Sequence, residues 1–188
     1  MRKLQGIALK RKTVPEFRSA DKTPLVLVLD NIRSMHNVGA VFRIADAFLL
    51  RGIFLCGFTP RPPHRDIHKT ALGATETVPW QYYPKTIGAV RFLQESGYHL
   101  WAAEQATDSL RLDQFRPGEA LPLGIIFGNE LSGVDPEVLE LVEGCLEIPQ
   151  AGMKHSLNVS VSAGIIAWDL FRRIGLEQPE ALVHIPQP

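Results

Sequence analysis

Apolar residues along the chain fall in short dense runs closed by turn formers, and the runs alternate with segments of helical period. LVLVLD (25–30), GIFLCGF (52–58), YHLWAAE (98–104), LGIIFG (123–128) and CLEIP (145–149) predict strands. Most are apolar at consecutive rather than alternate positions, as parallel strands buried on both faces require. Between them, residues 38–50 set Val38, Val41, Phe42, Ala45 and Leu49 on one stripe, which predicts an amphipathic helix. Residues 84–95 open on Pro84 and repeat Ile87, Val90 and Leu93, a second helix. Asp135, Pro136 and Glu137 supply an N-cap, a first helical residue and first-turn charge for a third, over 135–142. A fourth, over 156–173, closes on Arg172, Arg173 and Gly175, a basic last turn followed by a glycine stop. Val159, Val161 and Gly164 inside it are poor helix formers, a local conflict that points to a site or to tight packing. Thr59 to Pro63 reads as a loop, and the tail after Gly175 as irregular. Strands alternating with helices give an α/β class with a mostly parallel sheet and helices on both faces.

Composition narrows the class without changing it. With 188 residues, 45% of them hydrophobic and 21% charged, the chain suits one globular domain with a substantial core. Cys56 and Cys145 are too few for a disulfide framework and read as inert buried thiols. No apolar stretch reaches a membrane span, and the basic start lacks the apolar core of a signal peptide, so a cytoplasmic protein is expected. The formal net charge is zero, which at face value speaks against nucleic acid. The charge is uneven, however. Residues 1–22 hold seven basic residues (Arg2, Lys3, Lys10, Arg11, Lys12, Arg18 and Lys22) against Glu16 and Asp21, about +5, and the remainder, 13 against 18, about −5. A basic arm on a mildly acidic body is suited to phosphates, while a solvated terminus accounts for the charge equally well.

Parallel α/β sheets bind ligands beyond the carboxyl ends of their strands, so chemistry is sought there. After the first strand come Asp30 to Ala40, with Asn37 at an expected N-cap, Gly39 permitting close backbone approach, and Arg43 in the second helical turn. The fourth run ends in Gly128, Asn129, Glu130, Leu131, Ser132 and Gly133, where a Gly-rich connection alone leaves Glu130 unexplained. The fifth leads through Ile148, Pro149 and Gly152 to Ser156, Leu157, Asn158, Val159 and Ser160. Several chemistries fail. G-x-G-x-x-G after the first strand, the P-loop and the G-x-S-x-G elbow are all absent. His64 and His68 stand four apart with no third ligand, so no metal is expected.

Asn37-x-Gly39-x3-Arg43-x-Ala45, Phe127-Gly128-Asn129-Glu130-x2-Gly133, and Ile148-Pro149-x2-Gly152 with Ser156-Leu157-Asn158-Val159-Ser160 resemble, in order, the three signature motifs of the SpoU (TrmH-like) branch of the SPOUT RNA methyltransferases. Each motif alone is weak; three in order at strand ends are specific, and the resemblance covers about residues 24–173. It implies a deep C-terminal trefoil knot, S-adenosylmethionine bound there, and a homodimer with active sites at the interface. The reaction implied is methyl transfer to a ribose 2′-hydroxyl of RNA. Gly128, Ile148 and Leu157 would hold the cofactor by their backbone with Asn129 nearby, and Asn37, Arg43, Glu130, Ser156 and Asn158 would line the catalytic site. Glu130 and Asn37 are expected to orient Arg43, and Ser156 and Asn158 to shape the pocket. The chain divides on this reading into a basic arm (1–23), a methyltransferase domain (24–175) and a tail (176–188). Gln150-Ala151 before Gly152 departs from the usual family residues and would retune the cofactor loop. Many rRNA-modifying relatives carry an N-terminal RNA-binding domain where this chain has only the arm, which favours tRNA over rRNA. An rRNA-specific enzyme, a catalytically silent RNA-binding homologue and a nucleotide-binding α/β enzyme of other chemistry remain alternatives.

Overall fold

A computed structural model describes residues 1–3, 12–118, 120–154 and 156–183. The strands are β1 (Thr23–Asp30), β2 (Leu50–Cys56), β3 (Trp80–Tyr83), β4 (His99–Ala103), β5 (Leu110–Arg111), β6 (Leu123–Phe127) and β7 (Gly144–Glu147). They pair in the order β3-β2-β1-β6-β4-β7-β5, and every pairing is parallel. The helices are α1 (Val14–Ser19), α2 (Met35–Ala47), α3 (Arg65–Ala71), α4 (Ala74–Thr77), α5 (Thr86–Glu95), α6 (Pro136–Leu139) and α7 (Val159–Phe171). They cover both faces, which is why all eight residues of β1 are buried. One core layer joins Leu25, Leu27 and Leu29 to Phe42 of α2, Ile67 of α3 and Ile166 of α7. The opposite layer joins Val26 and Val28 to Val90 and Leu93 of α5 and Val138 of α6.

The α/β class and the five expected strands are as the patterning predicts. Several boundaries differ for local reasons. α2 begins three residues earlier than Val38 because Ser34, not Asn37, is its N-cap, its Oγ accepting the Asn37 N–H at 3.3 Å. α7 starts only at Val159, with Asn158 accepting the Ser160 N–H at 2.9 Å. Gly175 is not its stop: the chain runs on through a π-helical turn at Arg172–Leu176, where Gly175 is buried. Arg173 lies against Asp169 and donates to the carbonyls of Phe115 (2.6 Å) and Leu112 (3.3 Å), so the basic last turn secures a loop. The tail carries a 3-10 turn at Pro179–Ala181 and pairs Val183 with Lys22, while residues 184–188 lie outside the described residues.

The basic start is partly folded. Thr13 and Glu16 close a capping box on α1, whose Phe17 is buried, and Arg18 donates to the Glu76 carbonyl at 3.0 Å. Lys22, only 2% exposed, donates its Nζ to the carbonyls of Phe17 and Ala20. Burial, with the nearby Lys12 charge, lowers its pKa against the pull of Asp21. Lys22 is therefore a structural pin and is removed from the set of phosphate-contacting cations. Lys10 and Arg11 lie outside the described residues.

Candidate active site

The three motif segments emerge at the carboxyl ends of β1, β6 and β7. Gly128 ends β6 where a Cβ would stand 2.1 Å from both the Gly133 carbonyl carbon and the Val134 nitrogen, so only glycine fits. The loop folds back over it, with Asn129 and Gly133 exchanging backbone hydrogen bonds of 2.9 Å and Gly133 at φ +72°. Asn129 locks the turn: its Oδ1 accepts the N–H groups of Leu131 (2.9 Å) and Ser132 (3.2 Å), and its Nδ2 donates to the Asn31 carbonyl at 2.6 Å. Gly39, by contrast, serves packing and not a ligand: a Cβ there would lie 2.1 Å from Thr70 Oγ1 and 2.4 Å from the Ile67 carbonyl of α3.

Glu130 is thereby aimed at the start of α2. One carboxylate oxygen accepts the Arg33 N–H at 2.9 Å, and the other accepts the Ser34 N–H at 3.1 Å and Asn37 Nδ2 at 3.0 Å. In a capping box the third helical residue returns a hydrogen bond to the N-cap N–H; here Glu130 makes that bond from another loop. Partial burial works against its charge, but the hydrogen bonds of Arg33, its own N–H, Asn37 and Ser34 outweigh it and hold the carboxyl below its usual range. Asn158 Nδ2 donates to Asn37 Oδ1 at 3.2 Å, which joins all three motifs in one chain of contacts.

Arg43 is the residue this network leaves out. It is exposed, and no hydrogen bond or ion pair engages it among the described residues. Six residues beyond Asn37, it lies about 9 Å along the helix and about 120° round it. Glu130 and Asn37, expected to orient Arg43, make no hydrogen bond to it among the described residues: the carboxylate is held by backbone donors and the Asn37 amide.

A cleft of about 450 Å³ opens beside the network. Gly128, Asn129, Glu130, Ile148, Ser156, Leu157 and Asn158 line it, whereas Asn37 and Arg43 do not. Phe127, Leu146, Val159 and Ile166 add apolar surface, and Glu104 and Glu147 add carboxylates. Glu104 receives the N–H groups of Gln105 (3.0 Å) and Val134 (3.2 Å), and Glu147 the Ser109 hydroxyl at 2.8 Å. These two acids were not singled out from sequence, although both stand at strand ends, the signal that could have found them.

A family model described as the SpoU rRNA Methylase family matches residues 24–168. The chain belongs to this family. A 23S rRNA (guanosine-2′-O-)-methyltransferase of Vibrio parahaemolyticus is 32% identical over 177 residues, 90% of this chain and 70% of that one. A tRNA (guanosine(18)-2′-O)-methyltransferase of Thermus thermophilus is 30% identical over 167 residues, 87% of this chain and 82% of that one. The chain spans 63% of the length of a Staphylococcus saprophyticus relative named for the TrmH family. Among solved structures, an AdoMet-bound rRNA methyltransferase from Sinorhizobium meliloti superposes with a TM-score of 0.76 at 24% identity, over 87% of this SpoU chain and 61% of that one.

Other candidate chemistry resolves into structure. His64 is the N-cap of α3, its Nδ1 accepting the Asp66 N–H at 3.2 Å. No cluster of three or more His, Cys, Asp or Glu poised for a metal occurs among the described residues. Burial and the Asp30 charge push the Cys56 thiol up to about 12, against a hydrogen bond from Thr86, and burial raises that of Cys145, so neither is a thiolate near neutrality. No helix among the described residues is long and apolar enough to cross a membrane.

Proposed function

We propose that the protein transfers a methyl group from S-adenosylmethionine to a ribose 2′-hydroxyl of RNA, with tRNA the first substrate to test. The reading includes a homodimer with active sites at the interface and a C-terminal segment threaded into a trefoil knot. What carries it is the convergence of seven candidate site residues, from two motif segments of a SpoU-family chain, on one cleft at the strand ends. Relatives named for both RNA classes match at similar identity, so mapping the methylated nucleotide separates them.

The residues present fit the cofactor. Apolar walls at Phe127, Leu146, Val159 and Ile166 suit an adenine ring, and the carboxylates of Glu104 and Glu147 suit a ligand carrying sulfonium and amino charges. Backbone at Gly128, Ile148 and Leu157, with Asn129 beside it, would hold it. When bound, the cofactor supplies an electrophilic methyl group. The chain must align the 2′-oxygen and stabilise the charge it gains as its proton leaves. Arg43 serves there as an electrostatic group and not as a base, because a guanidinium offers hydrogen-bond donors and no acceptor for a proton. Its uncommitted donors stabilise the alkoxide and grip the adjacent phosphate. Glu130 and Asn37 position the helix that carries Arg43, and Ser156 and Asn158 shape the ribose pocket.

Two further observations support the assembly. Leu157, Val161, Ile165 and Trp168 form an exposed apolar stripe beginning at the cleft rim, with relative exposures of 38–48%. A second copy on this stripe would close over the site. β7 lies beyond β4 in the sheet, yet α7 returns to pack on α2, and such a crossing back is what a threaded C-terminal segment requires.

Calorimetry with S-adenosylmethionine and mass-spectrometric mapping of ribose methylation in tRNA and rRNA, with the gene present and deleted, test the reading. Cofactor binding and loss of one 2′-O-methyl group in the deletion strain are expected. No binding undermines the proposal, and binding with no methylation of any RNA favours a silent homologue.

A further inference from the structure

Beside the candidate site, the loop after β2 and the Trp80 and Tyr82 side chains of β3 enclose a hollow of about 670 Å³. Phe58, Pro60, Arg61, His64, Trp80 and Tyr82 contribute to its lining, which contains two basic side chains and no carboxylate. Phe58 is 61% exposed, although a large ring without a functional partner is better placed in the core. The Arg61 guanidinium stands 4.0 Å over the centre of the Tyr82 ring, presenting a flat cationic surface.

Hydrogen bonds lock this hollow to the candidate active site. The Phe58 N–H donates to Asn31 Oδ1 at 3.2 Å, and the Asn31 carbonyl receives Asn129 Nδ2 at 2.6 Å. Buried Thr59 donates to the Leu29 carbonyl at 3.1 Å and accepts the Ile32 N–H at 3.0 Å, beside the Arg33 and Ser34 amides that Glu130 holds. Gly57 and Gly128 end β2 and β6, which flank β1, so the two loops start two strand spacings apart, about 10 Å.

We propose that this hollow receives an unpaired nucleobase next to the target nucleotide, stacked on Phe58 with its phosphate facing Arg61 and His64. Aromatic rings beside cations are the chemistry by which proteins hold single-stranded RNA, because every base offers a π-face and every linkage a charge. An apolar peptide would leave Arg61 and His64 unused. An acidic peptide would use the Arg61 charge without Phe58. The proposal rests on the RNA-modifying reading and adds a second contact point for the strand.

The test uses the full chain and a ten-residue oligouridylate carrying one central 2-aminopurine. Binding to the wild type should quench the probe through stacking. Phe58→Ala should abolish the quench and weaken binding about tenfold, about 1.4 kcal/mol, while Phe58→Tyr restores both. S-adenosylmethionine affinity should be unchanged in the two variants, which controls for folding. A wild type that neither binds nor quenches the probe, or a Phe58→Ala variant that behaves as wild type, overturns the stacking site. Failure of the wild type to bind S-adenosylmethionine, with Phe58-dependent quenching intact, overturns the methyl-transfer reading and leaves the stacking site standing.

Discussion

Replacing Glu130 by alanine removes one acceptor from three donors, the N–H groups of Arg33 and Ser34 and the amide of Asn37, at 2.9, 3.1 and 3.0 Å. A hydrogen bond to a charged group contributes about 1.5–3 kcal/mol when water is kept away. Glu130 is exposed, so water replaces much of each bond, and the three together are worth about 1–2 kcal/mol. In a chain of this size 1 kcal/mol shifts Tm by about 2–4 °C, so Glu130→Ala should melt about 3–6 °C below wild type at neutral pH. The pH dependence follows from the lowered pKa: partial burial opposes the charge, and the hydrogen bonds of Arg33, its own N–H, Asn37 and Ser34 prevail. A carboxyl depressed in the folded state contributes fully above its unfolded value and loses the contribution as pH falls through the folded one. The gap in Tm should therefore persist from neutrality down to about pH 5 and close in more acid solution. Glu130→Gln, with one acceptor oxygen and no charge, should fall between. Circular-dichroism melts across that range read all three curves. Equal Tm at neutral pH, or a gap that does not narrow in acid, would refute the network as described.

Three further outcomes are expected. Gly39→Ala should cost about 1–3 kcal/mol in urea unfolding, because the new methyl meets Thr70 Oγ1 and the Ile67 carbonyl within 2.4 Å and a backbone carbonyl cannot swing aside; an unchanged midpoint would mean that α3 shifts freely. Arg43→Lys should lower kcat at least about tenfold with S-adenosylmethionine affinity intact, and full turnover in the Lys variant would remove any role for a planar, bidentate group. Deleting residues 1–11 should flatten the salt dependence of RNA binding by about one unit of slope for each phosphate that the arm neutralises, and an unaltered slope would assign the arm no role in holding RNA. The cut stops at residue 11 because α1 and Lys22 belong to the packed body.

β1, β2 and β6 were legible because burial on both faces leaves a continuous apolar run, and β4 and β7 from shorter apolar runs bounded by turn formers. β3 (WQYY) and β5 (LR) were not, being short edge strands with polar or half-buried residues. α3 escaped for a related reason, since RDIHKTA buries only Ile67 and Ala71 and shows no stripe. Motif order brought the cleft residues together, but contacts between loops were invisible: Glu130 and Asn37 are 93 positions apart, and no local rule predicts that Glu130 completes the cap of α2. The same local reasoning put the N-cap on Asn37, because Ser34 and Asn37 are both good caps and only the path of the chain decides between them.

Loops at the ends of parallel strands are the softest part of such a fold, yet here each key polar side chain ends on another loop's backbone or amide. Asn129 reaches the Asn31 carbonyl, Glu130 the amides of Arg33 and Ser34, Asn158 the amide of Asn37, and Asn31 the Phe58 N–H. The rigidity is obtained with backbone donors and amides, and that choice bears on Arg43. Had Glu130 paired with Arg43, the guanidinium would be neutralised before substrate arrived, and a developing alkoxide would have to displace a carboxylate. With Glu130 committed elsewhere, the Arg43 charge is left unpaired among the described residues, and under the proposed mechanism it would meet the negative charge formed during transfer at no reorganisation cost to the network that holds its helix.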